Sequence, residues 1–449
     1  MNILVLNGSP KGEYSVTLQT VRYWEKRYPR HTFEVLHVGA RIKTLEKDFT
    51  PALEALERAD ALLFSYPVYT FIAPSQLHRF IELMKEHYAP VAGKWATQLS
   101  TSKHFYDVTA HQYIEDNCRD LELNYVRGLS ADMEDLPTEQ GRAEAEAFFE
   151  HFCWCVEQGM GEPAFTQPAA YTPVTPSVPA SVEKKEGDVV IVADLPEGDS
   201  RLGAMVERFR AVLPVNSRVV NLREYPFRGG CLGCFNCAVD GTCIYKDGFD
   251  KFLREQIQTA DAMIYAFEIK DHSMGALFKL YDDRQFCNGH RTVTVGMPVG
   301  YLISGNYSAE RNLQTIVEGR AQVGANTLAG VATDETDPDG QIDRLCASLV
   351  YALEHRYAQP RNFYGVGGMK IFRDLIYQMR GMMRADHKFY KAHGEYDFPQ
   401  KRWPQSLAMY AVGAMLASPK IKSKMGNKMN EGMMMAHRKV VEQAQPKEE

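Results

Sequence analysis

Ala59-Asp60-Ala61-Leu62-Leu63-Phe64-Ser65-Tyr66 and Ala260-Asp261-Ala262-Met263-Ile264-Tyr265-Ala266-Phe267 are two copies of one pattern, a helix end turning into a buried strand. The register continues through the next helix, where Leu77, Phe80 and Glu82 fall on Phe278, Tyr281 and Asp283. Each half opens with a strand, Ile3 to Leu6 and Val189 to Val192. Further on, Trp95 to Leu99 corresponds to Thr292 to Val295 and Tyr125 to Leu129 to Thr327 to Val331, each predicted as a strand, before a closing helical stretch. Short apolar strands alternating with helical segments specify a parallel sheet with helices on both faces and right-handed crossovers. The expected fold class is therefore α/β, with two doubly wound parallel-sheet domains. Between them, Pro163, Pro168, Pro173, Pro176 and Pro179 stiffen an extended connector. The expected boundaries are 1–162 for the first domain, 163–187 for the linker, 188–360 for the second domain and 361–449 for a helical C-terminal extension.

Composition narrows the classes of function. Of 449 residues, 45% are hydrophobic and 24% charged, the balance of a globular chain. The apolar start Met1-Asn2-Ile3-Leu4-Val5 lacks a preceding basic run and reads as a strand, not a signal peptide. Leu407 to Ala417 is too short for the ~20 residues a membrane span needs, so no transmembrane segment is expected. Nine cysteines, an odd number, suit thiols, metal ligands or redox groups better than a disulfide framework, and the expected location is cytoplasmic. The net charge of −6 hides an asymmetry, because residues 361–449 carry 16 Lys+Arg against 8 Asp+Glu. That basic extension either pairs with the acidic body of its own chain or makes a peripheral contact with an anionic membrane surface or an acidic partner. Nucleic acid is not the expected partner, and oligomerisation is left open.

Ligands of an open parallel sheet bind outside the carboxyl ends of its strands. The loop after the first strand reads Asn7-Gly8-Ser9-Pro10-Lys11-Gly12-Glu13-Tyr14-Ser15-Val16-Thr17 and leads into a helix near Leu18. Hydroxyls, glycines and the free amides of a helix N-terminus suit a phosphate, with Lys11 as countercharge. An ordinary strand-to-helix turn capped by Ser15 or Thr17 is the alternative. The loop after the Ala61 to Tyr66 strand, Pro67-Val68-Tyr69-Thr70-Phe71-Ile72-Ala73-Pro74, is unusually apolar. It would take a flat ring against Tyr69 or Phe71, or else pack beneath the second domain or the tail.

These residues resemble the flavodoxin-like NAD(P)H-dependent FMN reductases and, within them, the iron–sulfur flavoproteins, here as a tandem duplication over roughly residues 1–360. The resemblance implies two flavodoxin-like domains. It implies that Ser9, Lys11, Ser15, Val16 and Thr17 cradle the phosphate of FMN and that Pro67, Val68, Tyr69, Thr70 and Phe71 border its ring. It places Ser100, Thr101 and Ser102 at the pyrimidine edge. Lys103-His104-Phe105-Tyr106-Asp107 departs from the family's short glycine-rich loop, and His104 alone reads as a structural or surface histidine. No catalytic acid or base is singled out. The dinucleotide fingerprint Gly-x-Gly-x-x-Gly follows neither first strand, so NAD(P)H would be a transient reductant.

The second half carries Cys231-x-x-Cys234-x-x-Cys237 and, after five residues, Cys243, with Gly230, Gly233 and Gly241 relaxing the backbone. Four thiolates so close suit a [4Fe-4S] cluster, and the spacing resembles the compact motif of iron–sulfur flavoproteins. Zinc, or thiols and a redox disulfide, are the competing readings. Cys118, Cys153, Cys155, Cys287 and Cys346 read as buried packing. The second half's own first loop has Asp194, Glu197 and Asp199, carboxylates that would repel a phosphate, so one flavin site per chain is expected. If the two halves pair as a homodimer would, the cysteine motif approaches that flavin.

In the extension, Arg373, Arg380, Arg384, Lys388 and Lys391 among Phe372, Ile376, Tyr377 and Met383 predict an amphipathic basic helix over 361–402. Residues 405–436 predict further helix containing Met433-Met434-Met435. The leading expectation is an FMN-dependent electron-transfer enzyme reduced by NAD(P)H or a ferredoxin-type donor, with the cysteine motif as a one-electron relay. A quinone, azo or nitro-compound reductase with structural cysteines is the second, and a non-enzymatic carrier that docks on a redox protein through its basic tail is the third.

Overall fold

A computed structural model describes residues 1–161 and 171–421. The linker residues 163–170 and the tail from 422 on, including Met433-Met434-Met435, lie outside the described residues. The chain divides into two compact units, Met1–Phe389 and Tyr390–Glu449.

The first unit contains two sheets. The first half runs β1 (Asn2–Asn7), α1 (Val16–Arg27), β2 (Thr32–Leu36), α2 (Val38–Leu45), α3 (Thr50–Arg58), β3 (Ala61–Pro67), α4 (Ser75–Glu86), β4 (Trp95–Ser102), α5 (Asp107–Asp120), β5 (Asn124–Tyr125), β6 (Leu129–Asp132) and α6 (Glu139–Gln158). Its strands are ordered β2-β1-β3-β4-β5, all parallel, with β6 also on β4. The second half runs β7 (Lys185–Ala193), α7 (Arg201–Val212), β8 (Val215–Asn221), short helices α8 (Asn236–Asp240) and α9 (Phe249–Phe252), β9 (Ala262–Glu268), α10 (Gly275–Arg284), β10 (Pro298–Ser304), α11 (Arg311–Gly324), β11 (Thr327–Thr333) and α12 (Pro338–His355). Its order, β8-β7-β9-β10-β11, is the same topology and is again parallel. Each half thus has the 2-1-3-4-5 order of doubly wound flavodoxin-like domains.

The central strands are near-continuous apolar runs because helices cover both faces. In the first half Ile3, Val5, Leu63 and Leu99 pack on Leu18, Val21, Trp24 and Phe149, and in the second Ile191, Ile264 and Leu302 pack on Met205, Phe209, Ile342 and Leu349. Side-chain caps set where the helices begin. Ser15, Thr138, Ser200 and Asp337 accept backbone N–H bonds at the starts of α1, α6, α7 and α12. Beyond α12 come α13 (Phe363–Gln378) and α14 (Arg384–Ala392), which replace the single helix predicted over 361–402. In the second unit, α15 (Trp403–Leu416) presents Trp403, Leu407, Met409 and Tyr410 to solvent. No helix among the described residues is long and apolar enough to cross a membrane.

Two predicted strands are corrected. Thr292–Val295 is a turn in which Val293 and Val295 are exposed, and the strand begins at Pro298. Asn326 ties that turn by donating to the Thr294 carbonyl, and Gly296 leaves it at φ 78°. The Tyr125–Leu129 strand is interrupted because Gln98 wedges beside it, its amide donating to the Tyr125 hydroxyl. The chain passes this side chain at Gly128, where a Cβ would lie 2.2 Å from Gln98 Cγ.

Candidate functional site

A cavity of about 390 Å³ opens at the carboxyl edge of the first sheet, within the size range of small-molecule sites. At one end lies the loop after β1. Asn7 organises it by donating to the Gly12 carbonyl (2.9 Å) and accepting from the Ser9 amide (3.2 Å), while Ser9 Oγ accepts from the Lys11 amide (3.3 Å). Ser15 then caps α1. Ser9, Lys11, Ser15, Val16 and Thr17 all line the cavity. Among the described residues no carboxylate pairs with Lys11, whose ammonium lies 5.6 Å from the centre of the Phe235 ring. An unneutralised lysine beside a helix N-terminus is a donor set that fits a phosphate.

Pro67, Val68, Tyr69, Thr70 and Phe71 form the next stretch of wall. The apolar loop is not a free platform, since Tyr69, Phe71, Ile72 and Ala73 are buried. Phe71 packs on Phe105 (5.1 Å) and Tyr106 (4.2 Å), and Tyr69 meets Phe286 edge-on at 6.2 Å. Thr70 and Phe71 are left-handed, at φ 44° and 75°, an uncommon state for non-glycine residues. Thr101 and Ser102 also line the cavity, and Thr101 shares a 2.6 Å hydroxyl bond with Thr17. Ser100 sits behind them, fully buried, its Oγ 2.8 Å from His111 Nε2. Burial lowers the pKa of His111 to about 4 and leaves it a neutral partner. His104 pairs with Asp107 at 2.8 Å, on an exposed turn.

The opposite wall comes from the second half. Cys231, Cys234, Cys237 and Cys243 all reach this cavity. Gln76 of α4 donates to the Cys231 carbonyl at 3.4 Å, and Gly233 lies so close to Tyr69 that an added Cβ would be 1.9 Å from its hydroxyl oxygen. Burial pushes the Cys231 thiol far up and that of Cys237 up to about 11, and Cys237 donates to the Phe286 carbonyl at 2.9 Å. The donor set is one a soft metal favours, yet among the described residues no three His, Cys, Asp or Glu side chains converge as metal ligands. The five other cysteines are buried, Cys287 at the cavity wall.

Several wall residues carried no sequence signal. Arg320 of α11 pairs with Asp282 at 2.6 Å and lies 5.7 Å from the centre of the Phe71 ring. Phe372 of α13 stacks on Phe105 at 4.4 Å, and with Ile371 and Leu375 it roofs the site. Asp386 of α14, fully buried, takes Arg291 (2.6 Å) and His290 (3.1 Å) and fixes the segment behind the cysteines.

A 2-1-3-4-5 parallel sheet whose β1 and β3 loops wall a cavity at the carboxyl edge is a flavodoxin-like domain, and this chain has that fold twice. Residues 1–126 match the family model described as NADPH-dependent FMN reductase. No curated protein sequence matches the chain. Among solved structures, the chain is similar to an NADH:FMN oxidoreductase in its apo form, at 20% identity over 34% of this chain and 87% of the other, with a TM-score of 0.30. It is also similar to an NADPH-quinone reductase from P. pentosaceus, at 14% identity over 34% and 95% of the two chains with a TM-score of 0.27. An FMN-dependent NADH-azoreductase from Bacillus anthracis in complex with FMN is 14% identical over 34% and 99%, with a TM-score of 0.26.

Proposed function

We propose that the chain is an FMN-dependent oxidoreductase, reduced by NAD(P)H or a ferredoxin-type donor, in which the cysteine motif of the second half exchanges electrons with a flavin held by the first. The observation that carries this reading is a single cavity walled by Ser9, Lys11 and Thr17, by the Pro67–Phe71 loop and by all four motif cysteines. Ser15–Thr17 and Lys11 would hold the flavin phosphate, and Tyr69 and Phe71 would border the ring. Bound there, FMN would supply both two-electron and one-electron chemistry. The protein's own groups do the remaining work. The α13 residues Ile371, Phe372 and Leu375 keep water from one side, while Arg320 offers a cationic N–H donor beside Phe71 to an acceptor's oxygen. Cys231, Cys234, Cys237 and Cys243 would be the ligands of a [4Fe-4S] cluster.

A second reading keeps the flavin and leaves the cysteines as thiols, as in a quinone, azo or nitro-compound reductase. It is favoured by the lack of any converging ligand set among the described residues. Anaerobic purification, with FMN, iron and sulfide quantified per chain, separates the two. One FMN with about four iron and four sulfide supports the relay. FMN without iron leaves the thiol reading, and a preparation that takes up no FMN on titration overturns both.

A further inference from the structure

Helices α4 and α10 pack against each other, and their contacts are reciprocal. Asp283 of α10 accepts from the Ser75 amide that opens α4 (2.9 Å), and Glu82 of α4 accepts from the Ala276 amide near the start of α10 (2.7 Å). Such mutual contacts are those of a two-fold dimer interface, here within one chain. The preceding loops obey the same symmetry. Tyr69 bridges Ile72 as Lys270 bridges Ser273, and left-handed Thr70 and Phe71 are mirrored by Asp271 (φ 49°) and His272 (φ 64°).

The symmetry breaks where His78 stands opposite Lys279. His78 is buried, stacks on Tyr113 at 4.1 Å, and is kept neutral because burial lowers its pKa. Lys279 is fully buried too, but it donates to Asp283 (2.5 Å) and, across the interface, to the Tyr69 carbonyl (2.9 Å). Asp283 also accepts from the Thr70 hydroxyl at 3.3 Å. One buried ion pair from the second half therefore grips the Pro67–Pro74 loop at Tyr69 and Thr70 and the start of α4 at Ser75. A buried ammonium persists only with such partners, and consecutive left-handed non-glycine residues persist only where the surroundings fix them.

We propose that Lys279 is a positioning residue for the flavin site: with Asp283 it holds the Tyr69–Ser75 loop in its left-handed form, so that the second half serves to shape the first half's ring-binding wall. The proposal rests on the FMN reading given above. Its test uses the full-length protein and two readouts. Removing one charge would strand the other, so the main variant is Lys279→Met with Asp283→Leu, and Lys279→His, which copies the mirror position, is the second. Glu82→Gln, which weakens the mirrored contact on the far loop, is the control. By hydrogen exchange of the protein without flavin, amides 69–75 should exchange faster in the two Lys279 variants than in wild type or the control. By fluorescence titration, the FMN Kd should rise at least about tenfold in the same two variants and stay unchanged in the control. Unchanged exchange and unchanged Kd in a folded Lys279 variant would overturn the proposal. A wild-type protein that takes up no FMN would overturn the functional reading, while the exchange result would still decide whether Lys279 holds the loop.

Discussion

Gly233 is the point where the cysteine loop and the Pro67–Phe71 loop come closest, and Gly233→Ala gives a magnitude to check. Its φ of +58° suits glycine, and an alanine there would cost about 1 kcal/mol in backbone strain. The new Cβ would also lie 1.9 Å from Tyr69 Oη and 2.8 Å from Tyr69 Cζ. Tyr69 is 9% exposed and packed against Phe286, so the ring cannot swing away without displacing its neighbours. Overpacking of this kind costs roughly 1–3 kcal/mol. Gly233→Ala should therefore lower the unfolding free energy by about 2–4 kcal/mol in urea titrations, and it should raise the FMN Kd as the Tyr69 ring shifts. Tyr69→Phe removes the worst clash and leaves the strain and the 2.8 Å contact. A double-mutant cycle should then show about 1 kcal/mol or more of recovery when Tyr69→Phe is added to Gly233→Ala. Wild-type stability in Gly233→Ala, or an additive cycle, would refute the placement of the cysteine loop against Tyr69.

Other outcomes follow from the same geometry. On the proposed phosphate role of Lys11, Lys11→Glu should weaken FMN binding by more than about tenfold and leave riboflavin binding unchanged; equal losses for both ligands would remove Lys11 from the phosphate site. On the cluster reading, Cys231→Ser and Cys237→Ser should each abolish iron uptake in anaerobic preparations while FMN content is kept, read by colorimetric iron assay and flavin absorbance; iron retained in both variants would refute that reading. His272 is half-buried, which opposes its charge, but ion pairs with Asp120 of the first half (3.1 Å) and Glu310 of its own half (3.0 Å) raise its pKa to about 10. A raised pKa stabilises the fold fully below the unfolded value near 6.5 and loses that contribution as pH climbs through about 10. Wild-type Tm should therefore fall more steeply than that of His272→Gln between pH 7 and 10; parallel curves would show that the pair contributes nothing.

The duplicated fold was legible because strand burial and helix periodicity repeat in register, and that register pairs Glu82 with Asp283, the two carboxylates that make the reciprocal contacts between α4 and α10. The β1 and β3 loops were legible as walls of one cavity, since Ser9, Lys11 and Tyr69 sit at the carboxyl ends of neighbouring strands. What the sequence hid lies in long-range packing. Nothing local marks Arg320 or Phe372 as neighbours of the Phe71 loop, because they arrive from helices some 250 and 300 residues downstream. Thr292–Val295 misled for a related reason: its alternation imitates a strand, while the Asn326 bond that makes it a turn comes from another element.

Fusing two copies also frees each half from the other's constraints. In a symmetric homodimer, a lysine at the position of Lys279 would appear in both halves and grip both loops. In this chain the second half has diverged at its own carboxyl edge as well. Asp334, directly after β11, is fully buried and accepts from Ser304 Oγ (2.6 Å), the Gly305 amide (2.9 Å), Tyr171 (2.5 Å) and Arg201 (3.3 Å). Tyr171 comes from the linker, whose Val174 amide also donates to the Asp334 carbonyl at 2.7 Å. The donors around Asp334 already serve a carboxylate, and Asp194, after β7, is held by Arg223 at 2.6 Å. A phosphate brought to that edge would meet Asp194 and Asp334, whose described arginine partners, Arg223 and Arg201, already neutralise them. On the FMN reading proposed above, this asymmetry predicts one flavin per chain, held by the first half.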